Sequence, residues 1–117
     1  MLSFSGSLKV FVAVEPCDMR RSFNGLHDAV TTRLNEDPRS GSIFAFSNKR
    51  RTLLKILYWD GSGLWVLAKR LERGTFAWPK GTDIKDGKLR LNTTALAMLL
   101  DGIDMRHGCE RPWYQLG

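Results

Sequence analysis

Cysteine and histidine, the residues that most often carry metal or nucleophile chemistry, number two each in 117. Cys17 and Cys109 stand far apart without a CxxC, which excludes a disulfide framework and suits two isolated buried thiols in a reducing compartment. His27 and His107 are too few for a triad or a metal cage; zinc would need His107, Cys109 and distant ligands in place of four closely spaced ones. GxSxG, P-loop and GxGxxG patterns are missing, and the scattered Asp and Glu mark no two-metal pair. The expectation is a protein without catalytic residues, metal or cofactor, hence not an enzyme. Long apolar runs are lacking as well, since Lys55 and Asp60 break the best candidate well short of the ~18 to 20 residues of a membrane helix. The start, MLSFSGSLKVFVAVEP, has no basic region ahead of its apolar part. A soluble, cytoplasmic protein with no membrane partner is expected.

What is present is a local excess of positive charge. Residues 49–80 hold eight Lys or Arg against Asp60 and Glu72, which accounts for the whole net charge of +6, the remainder carrying ten basic and ten acidic residues. The same stretch holds three of the four tryptophans. A pI near 9.8 favours polyanionic partners, and here the field has one source.

Hydropathy patterning outlines one domain, residues 1–104, followed by a tail over 105–117; at 43% hydrophobic content the chain can build a real core. SLKVFVAVE alternates with period two, with Leu8, Val10, Val12 and Val14 on one face, and predicts a strand. Met19, Phe23, Leu26, Val30 and Leu34 then recur at helical spacing, with Asp18 or Ser22 as N-cap and an end before NEDPRSG. SIFAFS and TLLKILYWD predict strands around an NKRR turn, and Asp60-Gly61-Ser62-Gly63 the next reversal. Leu64 to Leu71 fits helical spacing and alternation almost equally. The strand is preferred, because Arg73-Gly74 reads as a hairpin turn into a further strand, TFAWP. KLRLN predicts a short strand, and Asn92 caps a last helix with Leu96, Leu99, Leu100 and Ile103 on one stripe. MRHGCERPWYQLG lacks periodicity and reads as a mobile tail or a segment that orders against a partner. The fold class is α+β: an N-terminal strand and helix, a central antiparallel sheet of about four to five strands, and a C-terminal helix, the helices covering one sheet face.

Two successive hairpins bring Lys49, Arg50 and Arg51 to one end of a sheet, with Lys55, Lys69, Arg70 and Arg73 along its strands and turns. Such a rim can lie along phosphates, with aromatics stacking on bases or a β-ribbon entering a groove. The plainer alternative makes Tyr58, Trp59, Trp65, Phe76 and Trp78 core or cross-strand pairs and the cations a solvated edge. Arg20 and Arg21 fall in the expected first turn of the helix, where the dipole disfavours cations; phosphate capture or pairing with Asp18 or Asp28 would account for them.

DMRRSFNGL, the block FSNKRRTLLKILYWDGSGLWVLAKRLERGTFAWP, and LLDGID together resemble the accessory TnpB protein of the insertion sequence 66 family, unrelated to the RNA-guided nuclease of the same name. The likeness runs from about Val10 to Ile103, while the ending departs from the family's arginine-rich one. The resemblance implies a role in transposition beside a separate, larger transposase that carries the strand-cutting carboxylates. Joined to the residues, it leads to a non-catalytic DNA-binding accessory factor. The alternative is a subunit that docks on the transposase without touching DNA, using a tryptophan-rich face with Trp59 and Trp65, or the Trp113-Tyr114 tail, as anchor.

Overall fold

The computed structural model of the chain describes residues 8–80 and 84–102. A mixed five-stranded sheet forms its centre, built from β1 (Val10–Ala13), β2 (Ile43–Ser47), β3 (Leu53–Trp59), β4 (Leu64–Arg70) and β5 (Lys88–Leu91), in the order β4-β3-β2-β1-β5. All neighbouring strands are antiparallel except β1 and β2, which run parallel with Val10 opposite Ile43 and Val12 opposite Ala45. A parallel pair needs a crossover. Helix α1 (Phe23–Thr32) supplies it, and α2 (Thr93–Leu100) follows β5. The α+β class, the five strands and the terminal helix match the patterning, and Leu64 to Arg70 is strand, although the hairpin into TFAWP on which that choice rested does not form.

The helices lie on opposite faces of the sheet, not together on one as the sequence suggested. Leu26, Ala29, Val30 and Leu34 from α1 and its C-terminal end pack with Ala13, Phe44, Phe46 and Leu57. Ala95, Leu96 and Leu99 of α2 pack with Val10, Val12, Ile43, Ala45, Leu54 and Ile56 on the other side. The reason is written in β2, buried at every position: a central strand apolar on both faces needs cover on both.

A second correction concerns TFAWP, which is no strand. Gly74 turns the chain at φ 71°, and the segment then passes over the α2 face outside the sheet. It is fixed there by Phe76 N–H donating to the Arg51 carbonyl at 2.7 Å, and by the Trp78 indole N–H donating to the Ala13 carbonyl at 2.9 Å. Phe76 and Trp78 are 2% and 8% exposed. Lying over the face buries both rings, whereas a strand added beside β4 would leave one face of each in water.

Candidate nucleic-acid interface

The basic end of the sheet is organised by one asparagine. Asn48 follows β2, and its side-chain oxygen accepts from the backbone N–H groups of Thr52 (2.9 Å) and Leu53 (3.1 Å), while its amide donates to the Thr52 hydroxyl at 2.9 Å. This closed turn holds Lys49 and Arg50 at its tip, both exposed. Arg51 comes next in the left-handed region, φ 59°, which swings its side chain inward. Its guanidinium donates to the Ser47 hydroxyl (2.8 Å) and the Val14 carbonyl (2.9 Å) and sits over the Trp78 ring at 5.0 Å. Burial lowers its pKa, opposed by the nearby Glu15 charge.

β4 ends where β3 begins, with Arg70 opposite Leu53, and the chain leaves through Leu71, whose N–H donates to the Thr52 carbonyl at 3.0 Å. Arg70 and Arg73 therefore share the sheet end that carries Lys49 and Arg50. All four are exposed and bond through their side chains to no described residue. The other expected contacts are held within the fold. Lys55 Nζ donates to the Arg21 carbonyl at 2.8 Å, and Lys69 Nζ to the Leu100 carbonyl at the end of α2 at 2.5 Å. Arg20 and Arg21 precede α1, which starts only at Phe23, so the helix-dipole argument does not apply to them. Arg20 forks onto Asp18, and those hydrogen bonds bring the Asp18 carboxyl down to about 2. Arg21 Nη1 reaches the Gly25 carbonyl at 3.4 Å.

At the far end of the sheet, Asp60 confirms the predicted reversal: its carboxylate accepts from Ser62 N–H (2.8 Å), Gly63 N–H (3.0 Å) and the Trp65 indole N–H (2.8 Å). These bonds, Trp65's first, hold its pKa well below the usual carboxylate range. Trp59 and Trp65 do not form one face. Cross-strand register sets Trp65 beside Tyr58 on the α2 side and Trp59 beside Leu64 on the α1 side, where Arg39 lies 5.2 Å from the Trp59 ring. Trp113, Tyr114, His107 and Cys109 lie outside the described residues, as does the proposed tail.

Sequence reasoning missed two features. A cleft of about 620 Å³ opens between residues 14–16, Arg51 and residues 75–80, with Lys80 on its wall. Lys88, 11% exposed, is pinned by Glu36 at 2.9 Å, the Leu34 carbonyl at 2.6 Å and the Phe11 ring. No local pattern announces either, because each joins segments far apart in the chain. Among the described residues no group of His, Cys, Asp and Glu is placed to hold a metal, and no helix is long and apolar enough to cross a membrane.

Residues 8–110 match the model of the family described as IS66 Orf2 like protein. The chain belongs to that family. Two proteins of Sinorhizobium fredii, each called an uncharacterized protein, are similar to it: y4jC is 38% identical over 112 residues, covering 96% of this chain and 93% of the relative, and y4hO is 36% identical over 107, covering 92% and 90%. No solved structure matches. Membership in the IS66 Orf2-like family gives the chain a transposition-associated accessory role, and the family is not a known catalytic one.

Proposed function

We propose that this IS66 Orf2-like protein is a non-catalytic DNA-binding factor that acts in the cytoplasm beside the element's transposase, gripping duplex phosphates with Lys49, Arg50, Arg70 and Arg73. The observation that carries this reading is the contrast between these four cations and the other Lys and Arg residues that the sequence singled out as contacts. Lys55, Lys69, Arg51 and Arg20 have partners inside the fold, whereas these four share one end of the sheet and have none among the described residues. Exposed, unpaired cations contribute little to folding. On a polyelectrolyte each one releases a counterion, adding roughly −0.9 to the slope of log affinity against log salt. Titration of the protein with labelled duplex at several salt concentrations should give a slope of about −3 to −4, with little dependence on base sequence. The fourfold alanine variant should bind almost without salt dependence; unchanged affinity and slope would refute the reading. The purified protein should leave the duplex uncut in the presence of divalent metal.

A docking subunit remains the second reading, favoured by Trp65 and Leu67, which are 43% and 37% exposed on the α2 side. Binding of the transposase by the wild-type protein, without binding of DNA, would put it first.

A further inference from the structure

The outer edge of β4 has no strand beside it among the described residues. The β3–β4 ladder closes on the same phase at both ends, Asp60 N–H donating to the Gly63 carbonyl and Leu71 N–H to the Thr52 carbonyl. Opposite residues in an antiparallel pair alternate between exchanging both bonds and exchanging none. Trp65, Leu67 and Lys69 therefore direct their backbone groups to Tyr58, Ile56 and Leu54, and Leu64, Val66, Ala68 and Arg70 direct theirs outward. No described residue pairs with that edge. Over Leu64 to Ala68 it has neither a charge nor a proline, the usual guards of an exposed edge, and Trp65 and Leu67 stand exposed beside it.

We infer that β4 pairs with β4 of a second copy of this chain, antiparallel, about a two-fold axis at Leu67. The outward residues are symmetric about that position. Leu64 then faces Arg70 of the second copy and Val66 faces its Ala68, giving ~8 hydrogen bonds between the chains. On the α2 side Leu67 meets its own symmetry mate, and Trp65 lies opposite Lys69 of the second copy, a cation beside an aromatic ring. No like charges stand directly opposite. Moving the axis to Val66 or Ala68 leaves Arg70 or Leu64 without a partner on the strand. Charge favours the antiparallel direction too, since it sets the Asp60 turn of one copy beside the Lys69–Arg70 end of the other, whereas a parallel pair would join the two basic ends. Each copy carries a net charge of +6, so their long-range repulsion is screened by salt. Association should strengthen with salt while DNA binding weakens.

Sedimentation of the full chain over a concentration series should show a monomer shifting to a dimer, more completely at about 0.5 M than at about 0.1 M salt. Ala68→Pro deletes an outward N–H without taking a bond from β3, so it should keep the wild-type circular dichroism and stay monomeric. In a Cys109→Ser background, Leu67→Cys should form a disulfide dimer on mild oxidation, because the axis sets the two thiols opposite each other, and Trp65→Cys should not. A monomer at every concentration and salt, a folded Ala68→Pro that dimerises like the wild type, or equal cross-linking at residues 65 and 67 would each overturn the proposal. A wild-type monomer whose binding to the transposase is lost in Ala68→Pro would also overturn it, giving the edge to the transposase. So would a wild-type monomer whose outward β4 amides are protected from hydrogen exchange, giving the edge to the chain beyond Gly102.

Discussion

Arg50 and Arg51 are neighbours of one residue type with opposite fates, and backbone conformation separates them. Arg51 takes φ 59° and turns its guanidinium onto Ser47, Val14 and the Trp78 ring, while Arg50 stays at the tip of the turn in water. Losing charge-assisted bonds of this kind costs about 1–3 kcal/mol. Arg51→Ala should therefore lower the midpoint of urea unfolding clearly, and Arg50→Ala should leave it within about 0.5 kcal/mol of the wild type. Asp60 and Asp18 make a second prediction at this scale. Both carboxyls have folded-state pKa values below the unfolded ~3.9, so their contribution to stability is complete above that value and is lost as pH falls through the folded one. Stability should decline as pH drops below about 5, and Asp60→Asn should flatten that decline. The indole N–H resonance of Trp65 should shift in the same variant, since the amide offers its bond on different terms.

Among the elements, the C-terminal helix was the easiest to read and TFAWP the hardest. Asn92 caps α2 as its position predicted, its side-chain oxygen accepting from Ala95 N–H at 2.7 Å. Asn92→Ala should destabilise the protein by about 1 kcal/mol in thermal unfolding, with no change in the sheet. For α1 the apolar period marked Leu26, Val30 and Leu34 as buried but also Phe23, which is exposed, and of the two N-caps left open, Asp18 and Ser22, the structure takes Ser22. The turn at Asp18 takes up Arg20 and Arg21, and helix begins at Phe23 after Ser22, whose side chain makes no capping bond. TFAWP has the composition of a strand. Its rings reach burial by another route, over the sheet instead of beside it, and that choice depends on a space between β1 and the β2–β3 turn that no local window contains.

For the whole molecule, the sheet separates charge along its strands. The β2–β3 turn and the exit of β4 form the basic end, while the β3–β4 turn carries Asp60, and Arg90 lies exposed on β5 at the opposite edge from β4. Replacing Arg50 and Arg73 together by Ala should flatten the salt slope of DNA binding by about two contacts, and Arg90→Ala should leave it unchanged. A protein whose positive charge attracts DNA merely in bulk would respond equally to all three changes. Equal responses would move the contact away from the basic end.

The sequence by itself determined the α+β class, the strand identity of β1, β2, β3 and β5, the turns at Asn48 and Asp60, the cap at Asn92 and the segment that supplies the positive charge. These depend on spacing and turn chemistry within a few residues, where alternation, helical period and side-chain-to-backbone bonds act directly. Tertiary structure alone decided which face each helix covers, which cations remain free and which edge of the sheet stays open. Arg51, Lys55 and Lys69 look as available in the chain as Arg50, Arg70 and Arg73. They are withdrawn by acceptors on Val14, Arg21 and Leu100, residues that come within hydrogen-bonding distance only when the strands pair and the helices pack.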